Sequence, residues 1–226
     1  MLEAATPSHG EEAASVAEYV VPMGLFIAFT YVEGWAPHWY VPIYLAKVAA
    51  VTLALAIFFR PVRTIRPDTR TIPLALVVGV AVFAEWILGD RWIPYPHLGS
   101  RSAFNPFAGI PSPVARIAFI GVTVYAMAVM VPVMEELFWR SWLIRYLTTQ
   151  RWRQILPWEY SRNGFWGVAV LFGLAHTEWL VAVICGMAYG WLLKRTESLF
   201  ACVVAHGCTN LLLAMYILHT GSWKYW

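Results

Sequence analysis

Apolar residues in this chain occur in long runs, and the polar residues are concentrated in the links between those runs. A helix rises 1.5 Å per residue, so about 20 residues are needed to cross a hydrocarbon core roughly 30 Å thick. Seven runs are predicted as membrane helices, although the fifth is short. They cover Ala14–Val32, Trp39–Phe59, Ile72–Gly89, Val114–Leu147, Gly164–His176, Glu178–Leu193 and Ser198–His219. The fourth contains Pro132, where a bend is expected. The predicted fold is an all-α, polytopic transmembrane helical bundle of about seven spans, with six to eight as the range.

Composition favours the same class of protein. Hydrophobic residues make up 60% of the chain and charged residues only 13%, whereas an ordinary soluble domain has about 25% charged residues. The thirteen Trp residues also fit a bilayer, because Trp is enriched at membrane interfaces. The net charge of +3 comes with no basic face and no nucleic-acid motif, so the expected partner is the lipid bilayer and not a nucleic acid.

The links differ in positive charge, which predicts the orientation of the bundle. Ten cations lie in the links after spans two, four and six: Arg60, Arg63, Arg66, Arg70, Arg145, Arg151, Arg153, Arg162, Lys194 and Arg195. The opposite side has four: Arg91, Arg101, Arg116 and Lys224. Cytoplasmic loops are rich in Lys and Arg. We therefore expect a multi-pass protein of the cell membrane, such as a bacterial inner membrane, with its N-terminus cytoplasmic and its C-terminus outside.

The chain is predicted to be a single membrane domain over residues 1–226. Residues 14–110 supply three spans and an outer loop without a motif, and residues 114–219 form a helical core that carries the candidate chemistry. Residues 1–15 lack Lys and Arg, so we expect the first span to be retained and not removed as a signal peptide. Cys185, Cys202 and Cys208 have no metal-binding spacing and are expected to be packing residues.

Polar side chains inside membrane helices are costly, so they indicate where a site lies. The candidates are Glu135, Glu136 and Arg140 in span four, His176 at the end of span five, and His206 and Asn210 in span seven. Measured from the cytoplasmic helix ends, Glu135, His176, His206 and Asn210 lie at similar depths of roughly 12 to 18 Å. Three helices are thus predicted to bring them together.

Spacing along the helices separates their roles. Glu136 and Arg140 are four residues apart and share a helix face, so an ion pair is expected. Glu135 is turned about 100° from Glu136 and suits a general base, whereas the side chains of His206 and Asn210 can donate to an oxyanion. Lys47 and Glu85 stand alone in their spans. We expect structural roles for these two, with the Lys47 amine extended towards the interface.

Three short motifs resemble those of the type II CAAX prenyl protease and bacteriocin-processing family of intramembrane proteases. They are Glu-Glu-x-x-x-Arg at 135–140, Phe-x-x-x-His at 172–176 and His-x-x-x-Asn at 206–210, in the family's order. The Gly186-x-x-x-Gly190 face, which allows close helix approach, also fits the family's sixth helix. The resemblance extends from about Ala115 to Leu213.

The resemblance implies an intramembrane endopeptidase of the glutamate type. In that mechanism Glu135 and His176 activate a water, His206 and Asn210 form the oxyanion hole, and Glu136, Arg140 and Phe172 support them. The implied substrate is a membrane-associated peptide or protein, prenylated or otherwise anchored. Such proteases cut near the cytoplasmic side and release a C-terminal tripeptide after a prenylated Cys. No cofactor is expected.

Three alternatives remain open at the level of sequence. The same residues could serve a zinc-dependent version of the protease, although no His-Glu-x-x-His motif is present. The chain could instead be a non-catalytic membrane factor in bacteriocin immunity or protein sorting. A cysteine protease using Cys208 and His206 is disfavoured, because residues two apart on a helix point about 200° apart.

Overall fold

A computed structural model describes residues 9–99 and 102–226, with side chains from residue 16 onwards in the first helix. The expectations for residues 1–8 and for Arg101 lie outside this part. Within it the fold is all-helical, as predicted, and has no strand. The helices are α1 (His9–Trp35), α2 (Tyr40–Ile57), α3 (Phe59–Val62), α4 (Ile72–Trp92), α5 (Pro106–Gly109), α6 (Pro113–Tyr125), α7 (Val131–Glu136), α8 (Ile144–Tyr146), α9 (Arg162–Leu174), α10 (Trp179–Thr196) and α11 (Leu199–Thr220).

Helices α6, α7 and α8 are segments of one continuous helix over residues 113–146, here called the long helix. Two π-helical segments, Ala126–Met130 and Leu137–Leu143, join them. The helix starts where the Ser112 side chain accepts a hydrogen bond from the Ala115 N–H and Pro113 occupies the first turn, a favourable combination at a helix N-terminus. The irregularity around Pro132 is thus a local widening of the helix.

Five of the described helical segments have the length and apolar composition of a membrane span. They cover Val16–Trp35, Pro37–Ile57, Thr69–Trp92, Pro113–Tyr146 and Leu199–Thr220. The other two predicted spans form a hairpin of α9 and α10, and the 13 residues of α9 rise only about 20 Å. The hairpin starts and ends on the same side of the bundle. The other links therefore lie on the same sides whether or not α9 and α10 cross the membrane fully.

Small residues allow the hairpin to pack closely. A Cβ at Gly186 would lie 3.1 Å from the Cα of Ala169, and one at Gly190 would lie 2.8 Å from the Phe165 ring. The predicted Gly-x-x-x-Gly face is therefore the surface through which α10 contacts α9. Helix α11 packs mainly on α4 and on the first π segment of the long helix.

The bundle has two distinct ends. At the basic end, the Tyr19 ring contacts Trp152 at a centroid distance of 5.9 Å, and Lys194 donates to the Trp158 carbonyl. This end contains residues 58–68, 147–161 and 197–198. At the loop end, the Leu98 N–H donates to the Thr177 carbonyl. This end contains residues 36–39, 93–99, 102–112, 175–178 and 221–226.

Candidate active site

An internal cavity of about 340 Å³ lies between the two N-terminal spans and the helices of the C-terminal half. Glu135, His176, His206 and Asn210 all line it. Phe172 also lines the cavity, whereas Glu136 and Arg140 are not in its wall and are completely buried. The structure therefore brings the four candidate residues, which come from two helices and the turn after α9, to one internal surface.

Glu136 is the centre of a buried charged cluster behind the cavity. Its Oε1 accepts hydrogen bonds from Arg140 Nη1 at 3.3 Å and from His206 Nδ1 at 2.8 Å. The Arg140 guanidinium also lies 4.3 Å above the centre of the Phe172 ring, a favourable cation–π distance. Spacing alone indicates the pair with Arg140, but the contact with His206 joins helices that are 70 residues apart in sequence.

The contact with Glu136 fixes the protonation pattern of His206. A carboxylate can only accept, so Nδ1 of His206 carries a proton. Nε2 is then an acceptor in the neutral ring and a donor only in the imidazolium. The Tyr189 ring, stacked on His206 at a centroid distance of 5.3 Å, holds the plane of the imidazole.

His176 also makes a hydrogen bond through its Nδ1. It lies in the turn after α9, where its Nδ1 is 2.6 Å from the Phe172 carbonyl oxygen. A carbonyl only accepts, so Nδ1 donates and Nε2 of the neutral ring carries the lone pair. The Phe172 ring at 4.5 Å and the Trp86 ring at 5.7 Å hold the imidazole from two sides. In both histidines the hydrogen bond at Nδ1 therefore helps to fix the orientation of the ring.

The position of Asn210 depends on an irregularity in the long helix. In the π segment the Val131 N–H bonds to the Ala126 carbonyl, and Pro132, the next residue, has no N–H. Pro132 therefore cannot bond to the Met127 carbonyl, which instead accepts from Asn210 Nδ2 at 2.9 Å. The Asn210 amide has two donor hydrogens, and the bond to Met127 uses one of them. The side chain also lines the cavity.

Close approach between α11 and the long helix requires glycine at position 207. A Cβ there would lie 2.7 Å from the Ala128 carbonyl oxygen, well inside ordinary van der Waals contact. Gly207 follows His206 directly, so this approach sets the distance of His206 from the long helix. The glycine in the third motif therefore has a packing reason.

An ion pair in the N-terminal half also lines the cavity. Lys47 Nζ lies 2.7 Å from Glu33 Oε2, and both side chains are almost fully buried. The amine is also within 5.0 Å of the centres of the Phe26 and Tyr44 rings. The expectation that Lys47 stands alone is therefore wrong, because it is paired with Glu33. Its partner follows from the packing of α1 on α2, which no short motif in the sequence indicates.

Asp90 connects the outer loop to the C-terminus at the loop end. Its carboxylate accepts from Tyr95 and His97 on one oxygen and from Lys224 and Tyr225 on the other, at 2.5 to 3.1 Å. Burial raises the pKa of Tyr225 to about 12, so this phenol remains a donor near neutral pH. Because Tyr225 also lines the cavity, Asp90 fixes part of the cavity wall, and sequence patterns do not indicate this.

The donor set for the zinc-dependent alternative is not assembled. Among residues 9–99 and 102–226, no group of three or more His, Cys, Asp and Glu side chains is placed to hold a metal ion. Cys208 packs against the position of Gly79 in α4, on a different surface from His206.

Comparison with known proteins identifies the C-terminal half of the chain. Residues 117–212 match the family model described as type II CAAX prenyl endopeptidase Rce1-like. No curated protein and no solved structure matches the chain. The matched segment runs from the long helix into α11 and contains all of the candidate residues, and the resemblance seen in the three motifs is confirmed. Residues 117–212 are therefore similar to the type II CAAX prenyl endopeptidase Rce1-like family, which is a family of proteases.

Proposed function

We propose that this protein is an intramembrane endopeptidase that hydrolyses a peptide bond in a membrane-associated peptide or protein, and that its mechanism is of the glutamate type. The observation that supports this most is the single cavity that Glu135, His176, His206 and Asn210 line. Three of these side chains are oriented by hydrogen bonds to buried groups. Such preorganisation is what a catalytic cluster requires.

In the proposed reaction, Glu135 is the general base and His176 positions the nucleophile. A water donates one hydrogen bond to Nε2 of His176 and loses its other proton to the Glu135 carboxylate. The water oxygen bonds to the scissile carbonyl carbon, whose double-bond electrons move onto oxygen. When the C–N bond breaks, the departing nitrogen takes the proton from Glu135, so the products are a carboxylic acid and an amine.

His206 and Asn210 are proposed to stabilise the oxyanion. Imidazolium Nε2–H of His206 and the second Nδ2–H of Asn210 donate to the developing charge. The buried cluster then holds two cations, Arg140 and His206, against one carboxylate, Glu136. The net positive charge favours an oxyanion beside it. Loss of one such donor typically lowers kcat by 10²–10³.

The test compares protein termini in membranes from cells that make the wild type, Glu135→Gln or Glu85→Gln. Glu85 is a matched control, because it is also a membrane carboxyl with buried oxygens but is not in the cavity wall. We expect new termini with the wild type and with Glu85→Gln, and their loss with Glu135→Gln. If Glu135→Gln gives the same new termini as the wild type, the role of Glu135 is refuted. A cellular phenotype without any new termini would favour the non-catalytic membrane factor.

Metal dependence is tested separately on purified protein. In the proposed mechanism, cleavage continues after exhaustive treatment with a chelator. Stoichiometric zinc whose removal abolishes cleavage, and whose return restores it, would replace this mechanism with the zinc-dependent version.

A further inference from the structure

The two ends of the bundle differ in whether their residues line the cavity. Several residues in its wall belong to the loop end or lie directly next to it: Gly34, Tyr40, Ser102, Thr177, Tyr225 and Trp226. Among the described residues, none from the links of the basic end lines the cavity. Among the described residues, the cavity therefore extends from the catalytic cluster towards the loop end alone.

The basic end is closed below the catalytic cluster. Arg140 lies one turn beyond Glu136, with its guanidinium 4.3 Å from the centre of the Phe172 ring and 5.3 Å from that of Tyr189. The neighbouring parts of α10 and α11 towards the basic end also have almost no exposed surface, as shown by Leu192, Leu193, Ala201 and Cys202. A peptide that came from the basic end would have to displace this packed layer, together with the ion pair between Glu136 and Arg140.

Polar groups line the path from the loop end to the catalytic cluster. Thr30, the Glu33–Lys47 pair, Ser102 and Thr177 all belong to the cavity wall. An extended peptide has one N–H and one carbonyl per residue to satisfy, and such a path offers both acceptors and donors. A purely apolar channel would suit a lipid chain instead.

The distribution of cations assigns a side of the membrane to each end. The ten cations that are expected to be cytoplasmic all lie in or directly beside the links of the basic end. The loop end has Arg91, Arg116 and Lys224 among the described residues. By the positive-inside rule the loop end is extracytoplasmic.

We propose that the substrate reaches the catalytic cluster from the extracytoplasmic side, through the loop end of the bundle. This rests on the proposed function, and it specifies the substrate class. The substrate is a peptide segment of a membrane-anchored protein that is presented outside the cytoplasm, and not a cytoplasmic C-terminal tail. The resemblance implies cleavage near the cytoplasmic side, and the cavity differs from that expectation.

The test uses single cysteines and a membrane-impermeant maleimide. The background carries Cys185→Ala, because Cys185 lines the cavity, while Cys202 and Cys208 are retained as packing residues and checked for lack of labelling. Val131→Cys places a thiol in the cavity one turn before Glu135. Arg195→Cys is the control at the basic end, where the side chain is exposed.

We expect the maleimide to label Val131→Cys in intact spheroplasts and Arg195→Cys only in inside-out vesicles. Labelling of Val131→Cys in inside-out vesicles but not in spheroplasts, which is the pattern expected for Arg195→Cys, would overturn the proposal. So would a Val131→Cys thiol that reacts with N-ethylmaleimide but with the impermeant reagent from neither side, because the substrate path would then run through the lipid. Detergent melting of each variant confirms that it is folded before labelling.

Labelling does not depend on turnover, so the two proposals can fail separately. The Val131→Cys measurement is repeated with Glu135→Gln in the same chain, and the same labelling pattern is expected. If terminal proteomics finds no cleavage but labelling is as expected, the proposed function fails and the access side stands. If cleavage is found but labelling occurs from the cytoplasm, only the access side fails.

Discussion

Substitution of Glu136 should remove stability and activity together, because Arg140 and His206 both donate to its carboxylate. Glu136→Gln leaves the Arg140 side chain, which is 1% exposed, without the carboxylate that balances its charge. Nε and Nη2 of Arg140 already make no hydrogen bond within the described residues. Loss of one partner of a buried pair costs about 3–5 kcal/mol. By the scaling of soluble proteins of this size, that lowers Tm on the order of 10 °C.

The double variant Glu136→Gln with Arg140→Gln separates the two effects. It removes the unbalanced charge, so part of the lost Tm should return. Activity should not return, because His206 still lacks the carboxylate that accepts from its Nδ1. Glu135→Gln is the control and should melt like the wild type while losing cleavage by 10²–10⁴-fold or more. Detergent melting and peptide cleavage are measured on the same preparations, and a Glu136→Gln protein that melts like the wild type would refute this reasoning.

Three further substitutions test other contacts. Asn210→Leu should lower kcat by 10²–10³, as expected for loss of an oxyanion donor. It should also lower Tm, because the Met127 carbonyl loses its donor. Unchanged kcat would exclude Asn210 from the oxyanion hole. Lys47→Met alone should lower Tm more than Lys47→Met combined with Glu33→Gln, since the single change strands a buried carboxylate; equal melting would show that the pair is not coupled. Glu85→Leu should raise Tm, because both carboxylate oxygens are buried without a hydrogen bond in the described residues; a large fall in Tm would indicate a role that the structure does not reveal.

Local patterns in the sequence were sufficient to predict the helices and to select the candidate residues. Run length indicates membrane helices because a bilayer imposes a minimum length, and the all-α fold followed from it. The i, i+4 spacing of Glu136 and Arg140 likewise gave their contact, because helix geometry alone determines it. The short hairpin of α9 and α10 was harder, since an apolar run of 13 residues does not specify how deeply it enters the membrane.

Contacts between distant helices could not be obtained in this way. The Glu136–His206 hydrogen bond and the Glu33–Lys47 pair depend on which helices pack together, and spacing within one helix carries no information about that. Pro132 predicts an irregularity, but not that the released Met127 carbonyl would be taken by Asn210. The roles of the four cavity residues remain predictions until they are tested.

The π segment at Ala126–Met130 has a consequence for the register of the catalytic helix. A π-bulge is equivalent to one extra residue in an α-helix. The bulge takes up that residue locally, so the α-helical segments on either side keep their relative orientation if one residue is deleted and the segment closes into regular α geometry. A deletion in the regular helix α6 would instead rotate one flank by about 100° relative to the other. We therefore expect a single-residue deletion within 126–130 to leave Glu135 facing the cavity, and a deletion in α6 to change the face on which Glu135 lies relative to Pro113.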